Sequence, residues 1–317
     1  MREERKKEET RRLNKIRGYE EYTYEKDDEE EIEEEKEVKK EKEASNKTFS
    51  FKRLLVRIVL IIIIILVYAI QIEPKLLFKV NEIKVNVDKL DESLNGLKIV
   101  QFADIHYGNT IGEKELDKIV NKINEIKPDI VVFTGDLLDN SIKLNDKNKK
   151  LIVDKLSKIE AKLYKYAIFG DNDYKDKDNY IDILNSSNFV LLNNNYNIVY
   201  DEINNPIYII GINKYDNNDY TFIDSIDNTS LKIILDHEPD NINNYKDKNI
   251  DIIFNSHTLG GLVRIPFIGG IINNSKYNDS YTEIGNTLIY NSNGLGTENI
   301  KLRFLNVPSI NLYRIYK

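Results

Sequence analysis

Apolar residues fall into three regimes along this chain. Through residues 1–53 they are scarce and follow no period. Residues 54–72, LLVRIVLIIIIILVYAIQI, are almost unbroken apolar. From residue 73 onward, short apolar runs alternate with amphipathic ones.

The third regime predicts its elements one at a time. In a connection over residues 73–96, EIKVNVD alternates Ile83, Val85 and Val87 and predicts a strand. After Gly96, LKIVQFA (97–103) predicts a second strand and GEKELDKIVNKINEIK (112–127) an amphipathic helix. DIVVFTG (129–135) reads as a buried strand, NKKLIVDKLSKIE (148–160) as a helix, and YKYAIFG (164–170) as a strand. Further strands are expected at 189–192, 196–200, 207–212, 231–235, 251–255, 287–291 and 309–315. Helices and strands alternate first and strands dominate later. This order predicts one α/β sandwich over residues 97–317, with sheets inside and helices outside.

The first two regimes are of another kind. Residues 1–53 hold 16 Lys/Arg and 18 Asp/Glu in blocks, with too few apolar side chains for a core. They predict a disordered, solvated tail with transient helix. Residues 54–72 would span about 28 Å as a helix, close to the thickness of a bilayer core. A leader of 53 residues is too long for a cleaved signal, and no small-x-small pattern follows the apolar run, so an uncleaved transmembrane signal anchor is expected. Arg57, one turn from its start, can snorkel to the interface. Seven Lys/Arg lie between Lys36 and Arg53 against four between Gln71 and Leu90, which predicts a cytoplasmic tail and an extracytoplasmic domain at the cell membrane.

Composition narrows the chemistry. The 317 residues include no cysteine, which excludes a disulfide frame and a thiolate metal site. The net charge is −7, and nothing beyond the first 60 residues forms a basic face, so no nucleic-acid partner is expected. The three histidines, His106, His237 and His257, each end an apolar run. Five such ends carry Asp or His: FADIH, VVFTGD, FGDND, KIILDH and DIIFNSH. One Asp at a strand end is ordinarily a turn or a helix cap, and one His is ordinarily structural. Five ends that gather every histidine point instead to a metal site, because open α/β sheets build sites at the carboxyl ends of strands. Mixed carboxylate and imidazole donors suit Mn, Fe or Zn.

The series DIH (104–106), GD (135–136), GDND (170–173), DHEPD (236–240) and SHTLGG (256–261) resembles the calcineurin-like metallophosphoesterases. VRIPFIGG (263–270) and GLGTENIKLRFLNVP (294–308) bring it closest to a membrane-associated branch that includes UDP-diacylglucosamine hydrolase-like enzymes, over about residues 82–317. The resemblance implies a four-layer α/β/β/α sandwich and two divalent ions. Asp104, His106 and Asp136 would hold one; Asp136 would bridge to a second, held also by Asp171, His237 and His257. It implies in-line attack by a metal-bound hydroxide on a phosphoester or pyrophosphate. The substrate would be a phosphorylated small molecule, an envelope lipid or a nucleotide-linked lipid precursor.

The chain departs from the family pattern at four positions. Asp171 stands where the family has Asn, which keeps an oxygen ligand and adds charge. Ser256 replaces a glycine. Leu259 replaces a histidine and removes one donor from the first metal. Asn172 replaces the histidine that contacts phosphate and protonates the leaving group; an amide donates a hydrogen bond but is no general acid. Two readings therefore stand. One is a hydrolase whose leaving group needs no proton, such as a phosphate released from pyrophosphate. The other is a weakened or non-catalytic relative that binds metal or ligand. Asp173 is expected to orient its loop, and Gly260 and Gly261 to let the backbone pass close to the metals. Arg303 is expected in a structural ion pair. Arg264, Pro266 and Phe267 read either as a lip toward lipid or as a plain surface hairpin.

Overall fold

The computed structural model describes residues 1–200, 205–216, 219–271, 275–277 and 279–317, with the side chains at 19–31, 46, 48 and 50 left out. The chain separates into two units, Met1–Ile65 and Leu66–Lys317.

The first unit belongs to one α-helix, α1 (Arg2–Val67). The tail expected to be disordered thus has helical backbone. Glu, Lys and Arg are strong helix formers, and Glu–Lys neighbours one turn apart add to that preference. The tail has no apolar stripe to bury, and its described side chains before Phe51 are exposed. One stretch, Phe51–Leu76, is long and apolar enough to cross a membrane. Past Val67 the helix loosens into a π-helical turn, Tyr68–Ile72, and ends in α2 (Glu73–Leu76) with Pro74 in its first turn.

The expected break at residue 72 does not coincide with a structural one. Ala69 is buried, and its carbonyl accepts from the Arg303 N–H at 2.9 Å. Glu73 is fully buried and accepts from the backbone N–H groups of Leu305 and Asn306. Residues 66–76 are thereby part of the second unit.

That unit continues with β1 (Lys79–Asn86), β2 (Leu97–Phe102), α3 (Glu113–Ile126), β3 (Ile130–Phe133), α4 (Asp146–Leu156) and β4 (Tyr164–Ala167). Then come α5 (Asp171–Lys175), α6 (Lys177–Ser186), β5 (Val190–Leu191), β6 (Asn195–Tyr200), β7 (Pro206–Gly211), β8 (Leu231–Leu235) and β9 (Ile252–Asn255). The chain closes with β10 (Arg264–Ile265), β11 (Gly269–Gly270), β12 (Tyr281–Ile284), β13 (Thr287–Asn291) and β14 (Ser309–Tyr316).

Among the described residues two six-stranded sheets result, ordered β1-β14-β2-β3-β4-β5 and β12-β13-β9-β8-β7-β6. Strands β2 to β5 run parallel, as do β13, β9, β8 and β7. Parallel neighbours need crossovers, which α3 and α4 supply. α3 buries Leu116, Ile119, Val120 and Ile123, an i, i+3, i+4, i+7 stripe, as an amphipathic helix should.

Strand alternation sorts the core. Val100, Phe102, Val131 and Phe133 pack under the helices, while Ile99, Ile130 and Val132 meet Ile209, Ile233 and Phe254 between the sheets. Each such buried side chain stabilises by about 1.5–3 kcal/mol. The outer face of the second sheet, with Ile210, Ile234 and Ile253, packs with Ile223, Ile242 and Tyr245. The four layers are present, but among the described residues the fourth is built from 3₁₀ turns, Thr221–Ser225 and Pro239–Asn244, not α-helices. The second of these, PDNINN, is rich in Asn and Asp, whose side chains compete for backbone hydrogen bonds and favour turns.

Candidate metal centre

Five loops converge, each leaving the carboxyl end of a buried strand. After β2 come Asp104 and His106; after β3, Asp136; after β4, Asp171 and Asn172 at the start of α5; after β8, His237; after β9, His257. The structure brings together all seven residues that the sequence reading singled out. Asp104, His106 and Asp136 form one group of donor atoms, and Asp136, Asp171, His237 and His257 a second, each group within 4.8 Å. Asp136 belongs to both. His106 Nε2 and His237 Nε2 lie 3.6 and 3.5 Å from Asp136 Oδ2. Asp171 Oδ1 is 3.3 Å from His237 Nε2 and 3.5 Å from His257 Nδ1.

Backbone strain marks the same residues. Asp104, His106, Asp136 and His257 have φ of 49°, 44°, 60° and 67°. A left-handed conformation is disfavoured for residues with a Cβ and persists where the surroundings over-determine it. Those surroundings are identifiable. The N–H groups of Asp104 and His106 donate to the carbonyls of Gly135 and Asp136, stitching the two loops together. Asp173 accepts from the backbone N–H groups of Asp136 (2.7 Å), Leu137 (2.9 Å) and Gly170 (3.0 Å), so it fastens α5 to the β3 loop, the orienting role expected of it. Gly170 has no room for a side chain there, since a Cβ would lie 2.2 Å from Asp136 Oδ1.

A carbonyl sets the orientation of His237. Thr134 O lies 2.8 Å from His237 Nδ1; a carbonyl oxygen only accepts, so Nδ1 carries the hydrogen and Nε2 is the nitrogen that faces Asp136 and Asp171. Ser256 Oγ donates to the same carbonyl at 2.7 Å. The serine found in place of a glycine thus braces the histidine support, a role that the sequence reading missed. It also missed the role of Arg303. This buried guanidinium donates to the carbonyls of Asn293, Gly296 and Asn306 rather than to a carboxylate. Gly296 N–H in turn donates to Asp104 O at 2.7 Å. The expected ion pair is instead a clamp behind Asp104.

Charge is crowded at this centre. Burial pushes Asp104 up to about 6, with Asp136 adding to the effect and His237 opposing it. Burial, then the charge of Asp136, raises Asp173 against the pull of its three N–H donors. Burial opposes ionisation of His237, but contact with Asp136 and Asp171 outweighs it and raises the imidazole. His257 is raised in the same way, against burial, by Asp171. Asp171 is lowered, since its bonds to the two histidines overcome burial.

The donor set fits a pair of divalent cations. Asp104 Oδ2 is buried without a hydrogen-bond partner, and an unpaired buried polar atom is costly unless something binds it. Leu259 is buried against the Asp104 side, where it offers no donor. Asn172 is held by three contacts. Its N–H and Nδ2 donate to the two oxygens of Asp136, each at 3.0 Å, and Lys175 Nζ donates to its Oδ1 at 3.0 Å. A lysine only donates and a carboxylate only accepts, so the amide can face one way alone, NH₂ toward the centre. A cavity of about 480 Å³ opens beside His257, and Glu238, Asp240 and Glu298 are among its lining residues.

The family model for calcineurin-like phosphoesterases matches residues 97–261. YkuE, a metallophosphoesterase of Bacillus subtilis, is 30% identical over 257 residues, 78% of this chain and 88% of its own length. A transmembrane protein with a metallophosphoesterase domain from Danio rerio is 27% identical over 71% of this chain, which spans about half (54%) of that relative. The UDP-2,3-diacylglucosamine pyrophosphatase LpxG of Chlamydia trachomatis is 25% identical over 82% of this chain and 95% of its own length.

Proposed function

Since the chain belongs to the calcineurin-like phosphoesterase family, whose members hydrolyse phosphoester bonds, we propose that it is a membrane-anchored, metal-dependent hydrolase of a phosphoester or pyrophosphate in a lipid or lipid precursor. The observation that carries the reading is the place of Asp136 in both donor groups. Asp104, His106 and Asp136 would hold one ion, and Asp136, Asp171, His237 and His257 the other. Bound there, two divalent ions would supply Lewis-acid activation of water and neutralise charge on the phosphoryl oxygens.

The protein's own groups do the rest. Asn172 directs its NH₂ inward and can donate to a phosphoryl oxygen, with Lys175 fixing that orientation. It cannot hand a proton to the departing oxygen, so leaving groups stable as anions are favoured. The carboxylates Glu238, Asp240 and Glu298 around the cavity disfavour a second phosphate in that space. The similarity to LpxG supports the pyrophosphate reading for this chain. The Phe51–Leu76 helix is the anchor, with the tail cytoplasmic and the catalytic unit outside; the transmembrane relative supports the anchor.

A second reading is a binding protein on the same fold, favoured by Asn172 and Leu259. Full-length chain in detergent, supplied with Mn²⁺, separates the two when offered a phosphodiester and a pyrophosphate beside an Asp136→Asn control. Turnover that requires Asp136 supports the hydrolase. Metal binding without turnover on either substrate supports the binding protein.

A further inference from the structure

We propose that the β10–β11 hairpin is a second membrane contact, whose tip, Pro266–Phe267–Ile268, inserts into the bilayer at the headgroup–acyl boundary. The proposal rests on reading Phe51–Leu76 as the membrane anchor. Phe267 is fully exposed and Ile268 is 71% exposed, at the end of a turn closed by the Ile268 N–H to Ile265 carbonyl bond. Large apolar side chains side by side at a loop tip face water at a cost unless something covers them. Phe267 also holds φ at 68°, a conformation that glycine would adopt with less strain. An exposed aromatic kept at such a position has a use outside the fold.

The covering partner is identified by what the hairpin is bonded to. Val263 bridges to Phe304, and the Arg264 N–H donates to Phe304 O at 2.9 Å. The adjoining Arg303 N–H donates to Ala69 O, the ring of Phe304 meets Tyr68 edge-on at 6.3 Å, and Leu305 and Asn306 donate to Glu73. Tyr68, Ala69 and Glu73 lie in the last turns of the apolar stretch Phe51–Leu76. The hairpin is therefore tied, through residues 303–306, to the point where that stretch leaves the membrane. Leu76, Leu77 and Leu305 add exposed apolar surface on the same connection, and Lys75 and Lys79 flank the two leucines, as in interfacial segments.

The contact bears on the metal centre. A Cβ placed on Gly261 would lie 2.7 Å from Gly270 Cα, so the hairpin base is packed directly on the loop that follows His257. A tip seated in lipid brings that loop to the bilayer surface, where the reactive phosphate of a lipid lies. The substrate class that fits is a lipid-linked phosphoester or pyrophosphate with a leaving group stable as an anion, reached without leaving the membrane.

The chain has no tryptophan, so Phe267→Trp makes a sole indole reporter. The full-length variant is reconstituted into phosphatidylcholine vesicles with or without acyl-brominated lipid, and flotation checks the anchor. Insertion predicts blue-shifted emission and quenching of roughly twofold or more by the brominated lipid, as expected for a side chain within the upper acyl region. Ile268→Trp is a second reporter in case the first variant misfolds. Tyr200→Trp, on the opposite edge strand β6, stays unquenched. A chain that floats while Trp at 267 and at 268 both emit as in water overturns the proposal alone. A chain that does not float overturns the anchor and the proposal together. Neither readout depends on catalysis, so failure of the hydrolase reading remains distinguishable.

Discussion

Three residues at the centre act through others. Ser256 Oγ and His237 Nδ1 share the Thr134 carbonyl, a contact spanning 122 residues of sequence. Ser256→Ala should lower metal affinity about tenfold, measured by calorimetric titration, because outer partners orient metal-binding histidines. Asn172→His should restore a proton donor and raise kcat on alkyl phosphoesters about 10²-fold, with little gain on aryl esters whose leaving groups need no proton. Equal gains on both would contradict the assignment of Asn172 as the missing acid. Arg303→Met leaves three carbonyl acceptors without their donor and should destabilise by about 3 kcal/mol in denaturant unfolding. The donor residues were legible in the sequence because each follows an apolar run. Their bracing was not, since Ser256, Lys175 and Arg303 act through contacts that residue type and spacing do not reveal. Left-handed φ values at Asp104, His106, Asp136 and His257 were equally hidden.

At the scale of elements, strand and helix periodicity located most of both sheets, and the elements it missed have two causes, composition and length. α6 buries Tyr180, Ile183 and Leu184, yet its sequence, KDNYIDILNS, is dense in Asp and Asn, residues that favour turns. The same composition accompanies the 3₁₀ turn Pro239–Asn244 of the outer layer. The β10–β11 hairpin and β12 are too short for periodicity to register. The short α5 depends on a single side chain, because Asp173 takes three backbone N–H groups across the β3–β4 junction. Asp173→Asn turns an amide N–H₂ against at least one of these donors. It should cost about 2–4 kcal/mol in chemical unfolding and weaken metal binding as Asp136 and Asp171 drift apart. Unchanged stability would contradict the role given to Asp173 as the fastener of this junction.

The whole molecule carries its charge crowding as a pH dependence. Asp104, with a folded pKa of about 6 against 3.8, stabilises the metal-free chain at low pH and loses that contribution as pH rises through about 6. Burial raises Asp236 to about 6 as well, against its bonds to Tyr245 and Asn241, with the same sign. His237 and His257, raised above 6.5, contribute below that value and lose it at higher pH. Asp171 is depressed and acts oppositely, but its contribution is complete once pH exceeds its unfolded pKa. The Tm of metal-stripped protein should therefore fall between pH 5 and 8, and Mn²⁺ should raise it more at pH 8 than at pH 5. A Tm that rises over this range in the metal-free chain would contradict the charge assignment.

As proposed, one carboxylate, Asp136, joins two metal positions built from five strand ends. The direct test is the stoichiometry of Mn²⁺ bound to the full-length chain and to its Asp136→Asn variant. Two ions per chain are expected in the wild type and at most one in the variant, with the fold retained. Two ions in both proteins, or fewer than one in the wild type, would contradict it.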